Sequence, residues 1–413
     1  MIKKHITKIR VLLALFTLSL FITSCNENKE EELFNQSPTE RMNQREKELR
    51  DLLLSSEHGW KTVYFTDNNN LGGYTFLFDF LDESKVRTIG NFNNNISPVE
   101  SEYTIGLNTT TTLIFTTKSE LHELSDSGNS APLPNFGGSG YKGDFNFMYY
   151  GVENDEIVFR TSRDFVEIRF KKATAEDWTD FQKYQDMKDF LNNSSGHLAY
   201  ENNGTIHNFS YNGNGEVRFA TNLEGNTSLN FGVGFTSNGI EISPAIDVNG
   251  TKYSEFTLNE AENKYVSLDG NFSISIVASP LDMSLVWRTQ INPTLNSTSF
   301  IQSFNEVKTV HDSVFPTLPL GNIIAFGDGE IVYDLGGRFV AIHNMSYSGV
   351  LGDETLISIG KQTPGLNWSF VPHLDPMVDL IISKSPYKVQ SINPDVARLT
   401  SESDADFWFI IIK

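Results

Sequence analysis

The sequence predicts a mainly β protein: two tandem antiparallel β domains, barrel-like or sandwich, with a few accessory helices. Three observations carry that reading. Phenylalanine is abundant, 31 of 413 residues, and with Thr, Tyr, Gly and Asn it makes the composition of short strands joined by tight turns. From Trp60 onward apolar residues recur with period two rather than the helical 3.6. Clusters such as DNNNLGG (67–73) interrupt that alternation where hairpins need turns.

The chain opens with Lys3, Lys4, Lys8 and Arg10, continues as an apolar run from Val11 to Ile22, and reaches Thr23-Ser24 directly before Cys25. That run is shorter than the roughly 20 apolar residues of a spanning helix, so residues 1–24 read as a lipoprotein signal peptide. Cys25 is the sole cysteine. Without a disulfide partner in an exported chain, a thiol at the cleavage point is read as an acyl attachment site. Residues 25–36 then form a lipidated acidic tether, and Lys29, Glu30 and Glu31 within it resemble the short signal that sends Bacteroidetes lipoproteins outward. The expected location is the outer membrane, lipid-anchored and exposed at the cell surface, or its periplasmic face if that signal is not read.

Charge narrows the partners. The chain carries 32 Lys plus Arg against 52 Asp plus Glu, and its signal contains four of the basic residues. Phosphate binding needs clustered cations, so nucleic acid is excluded as an expected partner.

Ser37-Pro38-Thr39-Glu40 has a capping-box pattern and opens a first helix, with Met42, Leu49, Leu52 and Leu53 as its apolar stripe and Gly59 as its stop. Strands follow at 60–66, 73–81, 85–92, 101–107 and 112–117. Tyr74, Phe76, Phe78 and Phe80 share one face of the second. A short helix at 118–125 leads to a breaker-rich loop, 127–140, and three more strands end near Phe170. Eight strands is a lipocalin-like count, enough to close a small barrel. Residues 33–172 are accordingly the N-terminal β domain with its leading helix.

Thr174 caps a connecting helix within 173–195, where Trp178, Phe181, Tyr184, Met187 and Leu191 recur at helical spacing. Residues 196–413 read as a C-terminal β domain enlarged by helices near 297–313 and 375–383. Echoes support duplication: DLLLSSEHGW (51–60) with DFLNNSSGHL (189–198), 143–159 with 337–359, and Asp164-Phe165 with Asp406-Phe407 ahead of a last strand.

Motif chemistry is sparse. His122-Glu123 lacks the second His of H-E-x-x-H, and His58, His197, His207, His311, His343 and His373 are scattered. Gly137-Gly138-Ser139-Gly140-Tyr141 fails the nucleophile-elbow pattern at its last position. No catalytic residue, metal ligand or cofactor is therefore expected from motifs. Paired carboxylates leave no fixed spacing and stay open. DNNNLGG and YNGNGE read as turn chemistry before calcium loops, and the five tryptophans as core before sugar platforms. Ligand contact is expected at Phe136, set among Gly, Ser and Pro where it could swing over a barrel mouth, and at Tyr141 and Trp60.

The lipobox, the acidic tether, SPTERMNQREKELRDLLLSSEHGWK, GGYTFLFDF, YKGDFNF, STSFIQSFNEV and LTSESDADFWF together resemble a Bacteroidetes surface lipoprotein family, domain of unknown function 4302. The resemblance implies a cell-surface setting alongside nutrient-uptake lipoproteins and supplies no catalytic residues. The expected role is a surface-anchored, non-catalytic ligand-binding or accessory module in glycan or peptide acquisition, with a small-molecule, glycan or peptide ligand and a surface lipoprotein or uptake-complex partner. Two alternatives stand beside it: a hydrolase whose paired carboxylates form only in the fold, and a structural envelope protein.

Overall fold

In the computed structural model, residues 37–194 and 196–413 are described. Cys25, Lys29, Glu30 and Glu31, with the signal and tether, lie outside the described residues. The chain divides into residues 1–51 and a larger unit, Leu52–Lys413. The first helix, Pro38–Leu54, starts as the capping box requires: the Glu40 carboxylate accepts from the Ser37 N–H at 2.8 Å, and the Ser37 hydroxyl accepts from the Glu40 N–H at 3.2 Å. No described helix is long and apolar enough to cross a membrane.

The larger unit contains three closed antiparallel barrels of eight strands each. The first runs from strand Trp60–Phe65 to strand Glu167–Lys172 and closes where Trp60 pairs with Lys172 and Lys61 with Lys171. Its strands fall where the alternation put them. The second runs from Gly196–Asn202 to Ser273–Ala278, closed by pairs such as Ser275 with Ala199. A third begins at Trp287–Gln290 and ends at Trp408–Ile412, joined by Arg288 opposite Ile412 and a bridge between Asn296 and Phe409.

One count differs from expectation. Residues 196–413 form two barrels where a single β domain was read, because sixteen short strands occupy that stretch and nothing in their alternation marks where one barrel ends. The internal echoes divide likewise. Asp164-Phe165 and Asp406-Phe407 both precede an eighth strand, whereas 143–159 lies on the sixth and seventh strands of its barrel and 337–359 on the fourth and fifth of the last.

Aromatic rings fill the first barrel. Phe78 lies 5.0 Å from both Phe115 and Phe170, and Phe159 lies 4.8 Å from Phe170. The second barrel is packed by Phe209, Phe231, Phe256 and Tyr265 among others. Helices Thr298–Val314 and Asp375–Ser383 complete the third core through Phe300, Phe304, Met377 and Ile381. With their interiors occupied by side chains, space for ligands falls on the joints between barrels and on their outer faces.

The connecting segment is two helices, Ala175–Thr179 and Gln182–Asn192. Thr174 caps the first as read: its hydroxyl accepts from the Asp177 N–H at 3.3 Å. Phe181 and Tyr184 pack on Leu77 and Ile89, on the outside of the first barrel. This explains why strand Gly73–Phe80 is buried on both faces. Backbones approach closely at the joint with the second barrel, and a Cβ on Gly234 would lie 2.2 Å from Val63 Cγ1.

Candidate functional site

Two like-charged pairs meet across the joint of the first and second barrels. Lys61 and Lys171 are directly opposed at the closure of the first barrel. Glu241 and Glu255 are directly opposed on strands Gly239–Val248 and Thr251–Asn259 of the second. Like charges facing across a ladder destabilise a sheet by themselves, so each pair needs the neighbouring elements. The Lys171 ammonium donates to Glu255 Oε1 at 2.5 Å and reaches Glu241 Oε2 at 3.4 Å. Lys61 reaches both oxygens of Asp177 at 3.1 Å, and the Tyr184 hydroxyl donates to Asp177 Oδ1 at 2.5 Å.

Lys61, Lys171, Tyr184, Glu241 and Glu255 border a cavity of about 160 Å³, walled further by Thr236, Ser237, Asn238 and Thr257 of the second barrel. A groove beyond it shares Lys171, Glu241 and Glu255 and adds Glu156, Glu167 and Arg169. Burial lifts the Glu241 carboxyl above its ordinary range, with Lys171 opposing and Glu255 adding to the rise. Burial works to lower the Lys171 ammonium, but Glu241 and Glu255 outweigh it and hold the group above the usual lysine value. Desolvation opposes ionisation of Asp177 as well, yet hydrogen bonds from Tyr184 and Thr174 and the charge of Lys61 keep it below the usual carboxylate value. The arrangement can fix a polar ligand between charges that the protein already holds in place.

The expected contact residues do not gather here. Trp60 is 2% exposed and its indole N–H donates to the Leu53 carbonyl at 2.9 Å, which makes it core. Phe136 is buried, with the Lys142 ammonium 5.0 Å from its ring centroid. Tyr141 packs edge-on against Phe92 at 4.8 Å and donates its hydroxyl to the Gly215 carbonyl of the second barrel. The loop that carries Phe136 is thus wedged into the joint, not poised over a mouth, and Pro132 sits against Gly215. Asp67 in DNNNLGG pairs with Lys142 and accepts from the Asn69 N–H at 2.7 Å, an Asx turn.

Lys171, Glu241 and Glu255 were not singled out by sequence. The I-E-I alternation of 240–242 does place Glu241 outward, but which surface it faces is a tertiary fact. The fold also joins two scattered histidines. His311 Nε2–H donates to the Leu318 carbonyl at 2.9 Å, and its Nδ1 lies 3.0 Å from His373 Nε2. Among the described residues no group of three His, Cys, Asp or Glu is placed to hold a metal.

A family model described as a domain of unknown function, DUF4302, matches residues 30–260, more than half of the chain. The match takes in the first barrel and most of the second. No curated protein and no solved structure matches the chain.

Proposed function

The chain belongs to the DUF4302 family, and from that premise we propose that it is a lipid-anchored surface protein that binds a small polar ligand in the cleft between its first two barrels. In this reading it is an accessory module for glycan or peptide acquisition at the outer membrane, partnered by an uptake complex. One observation carries it: Lys171 held between Glu241 and Glu255 beside a cavity whose wall includes the side chains of Thr236, Ser237, Asn238 and Thr257. With Lys61 paired to Asp177, Glu241 and Glu255 against the Lys171 ammonium leave surplus negative charge, which favours a ligand that brings a basic group. Saturation-transfer NMR with short Lys- and Arg-containing peptides tests this. Signal from the full chain should vanish in Glu241→Gln, and equal signal in both would end the proposal.

The anchor rests on Thr23-Ser24-Cys25. A Cys25→Ser chain should leave the detergent phase, while replacing Lys29, Glu30 and Glu31 with Ala should abolish protease cleavage at the surface of intact cells. A second reading, hydrolysis by paired carboxylates, is favoured by the opposed Glu241 and Glu255 and by the lifted Glu241 carboxyl. Lys171 is ion-paired to both carboxylates, which occupies them and favours binding over catalysis. Turnover of a glycan or peptide that Glu255→Gln abolishes would reverse that preference.

A further inference from the structure

The third barrel carries a groove of about 1060 Å³ between helix Thr298–Val314 and the start of strand Trp408–Ile412. It lies outside the matched residues 30–260, and the inter-barrel cleft contributes nothing to it. Gln302, Asn305, Glu306 and Thr309 recur on one helix face at spacings of three and four, so amide, carboxylate and hydroxyl groups run along one wall for about 10 Å. Asp406 and Trp408 belong to the other wall.

The walls are stitched together. Ser297, which caps the helix, donates its N–H to the Trp408 carbonyl at 3.0 Å and accepts from the Trp408 N–H through its hydroxyl at 3.2 Å. Two residues before Ser297, the Leu295 carbonyl accepts from the Ile410 N–H at 2.8 Å. Spacing between helix and strand is therefore set before any ligand arrives, which reduces the ordering lost on binding.

Tryptophan exposure is uneven. Trp60, Trp287 and Trp368 are 2–3% exposed and belong to cores. Trp408 is half-buried and lines the groove, its ring held by the Arg398 guanidinium 4.2 Å from the centroid. The lining contains no Lys or Arg, while Glu306 and Asp406 are acidic. Glu306 and Asp406 therefore disfavour anionic ligands, while the nearby Arg398 guanidinium is engaged by the Trp408 ring. Pro293, Ile301 and Trp408 are the apolar residues of the lining, and they are too few to make the continuous apolar stripe that a lipid chain or an amphipathic helix needs. Hydroxyl groups can donate to the carboxylates and exchange hydrogen bonds with the amides, and the C–H face of a pyranose ring can lie on the indole.

We propose that this groove binds a neutral oligosaccharide, with Trp408 as the stacking platform and Gln302, Asn305, Glu306 and Asp406 as its hydrogen-bonding partners. The test is isothermal titration of the full chain in detergent with cello-, xylo-, manno- and maltohexaose, and with hexagalacturonate as the anionic control. At least one neutral hexaose should bind and hexagalacturonate should not. Trp408→Ala should weaken that binding at least tenfold, and the surface pair Gln302→Ala/Asn305→Ala, which leaves the core intact, should weaken it several-fold. Glu241→Gln should leave it unchanged, separating this groove from the inter-barrel cleft. Absence of binding to all four neutral sugars, tighter binding of the anionic control, or affinity unaltered in the Gln302/Asn305 variant would overturn the proposal.

Discussion

Replacing Arg218 with Met tests whether the first two barrels are held as one cooperative body. Arg218 belongs to the second barrel, is 1% exposed, and reaches into the first. Its Nη1 donates to the Gly73 carbonyl at 3.0 Å and to Asn91 Oδ1 at 2.8 Å; Nη2 donates to the Asn91 carbonyl and to Glu216 Oε2 at 2.6 Å. Tyr74 stacks 4.8 Å from the guanidinium. Methionine keeps the aliphatic stem but removes the donors from three neutral acceptors, of which Asn91 Oδ1 still accepts from the Thr75 N–H at 2.8 Å while the Gly73 and Asn91 carbonyls lose theirs. Each buried acceptor left without a partner costs about 1–3 kcal/mol. Glu216 is not stranded, because Lys188 still reaches it at 3.0 Å, and losing the buried guanidinium removes a desolvation penalty. A net loss of about 3 kcal/mol follows, near the lower end of the range for breaking a buried ion pair. For a cooperative body of the first two barrels, Trp60 to Ala278, the melting temperature should fall by about 6–12 °C, read by differential scanning calorimetry. Arg218→Lys should recover less than half of that, since an ammonium cannot reproduce the planar fork. A shift below about 2 °C for Arg218→Met would refute the view that this side chain couples the barrels.

Gly234→Val should destabilise the same joint by about 1–3 kcal/mol through overpacking, because its Cβ would meet Val63 Cγ1 at 2.2 Å; Val63→Ala should restore part of the loss in urea unfolding. Glu120 has its carboxyl raised from 4.5 to about 8 by burial first and then by Glu123. A folded value above the unfolded one means that its contribution is full below pH 4.5 and is lost as pH rises through about 8. Stability of the native chain should therefore decline across that window by at most about 1.4 kcal/mol per pH unit, and Glu120→Gln should flatten the decline; an unchanged slope would count against it. Phe136→Ala should cost about 3 kcal/mol, since its ring is buried, and deleting residues 129–139 should lower the melting temperature visibly. A deletion that melts like the native chain would return this loop to the class of loose insertions.

Local patterning already contained the elements. The eight strands between Trp60 and Lys172, the Ser37 and Thr174 caps and the helices near 298–314 and 375–383 depend on side-chain period and on hydrogen bonds three residues away, interactions that a short window records in full. Trp60 was singled out as a contact but belongs to the core, because alternation shows which residues share a face and not whether that face is covered. The number of barrels was hidden for a related reason: closure is a pairing between strands as distant as Trp60 and Lys172, or Ala199 and Ser275, and consecutive hairpins look alike whether they end one barrel or begin the next. Glu241 and Glu255 belong to one barrel and Lys171 to another, and only the glycine-lined approach of the two brings the ammonium to the carboxylates. Composition and period thus determined a mainly β chain with its strands and caps in place, whereas tertiary structure alone decided where barrels close and which charges meet, since those depend on distances between residues that no local pattern links.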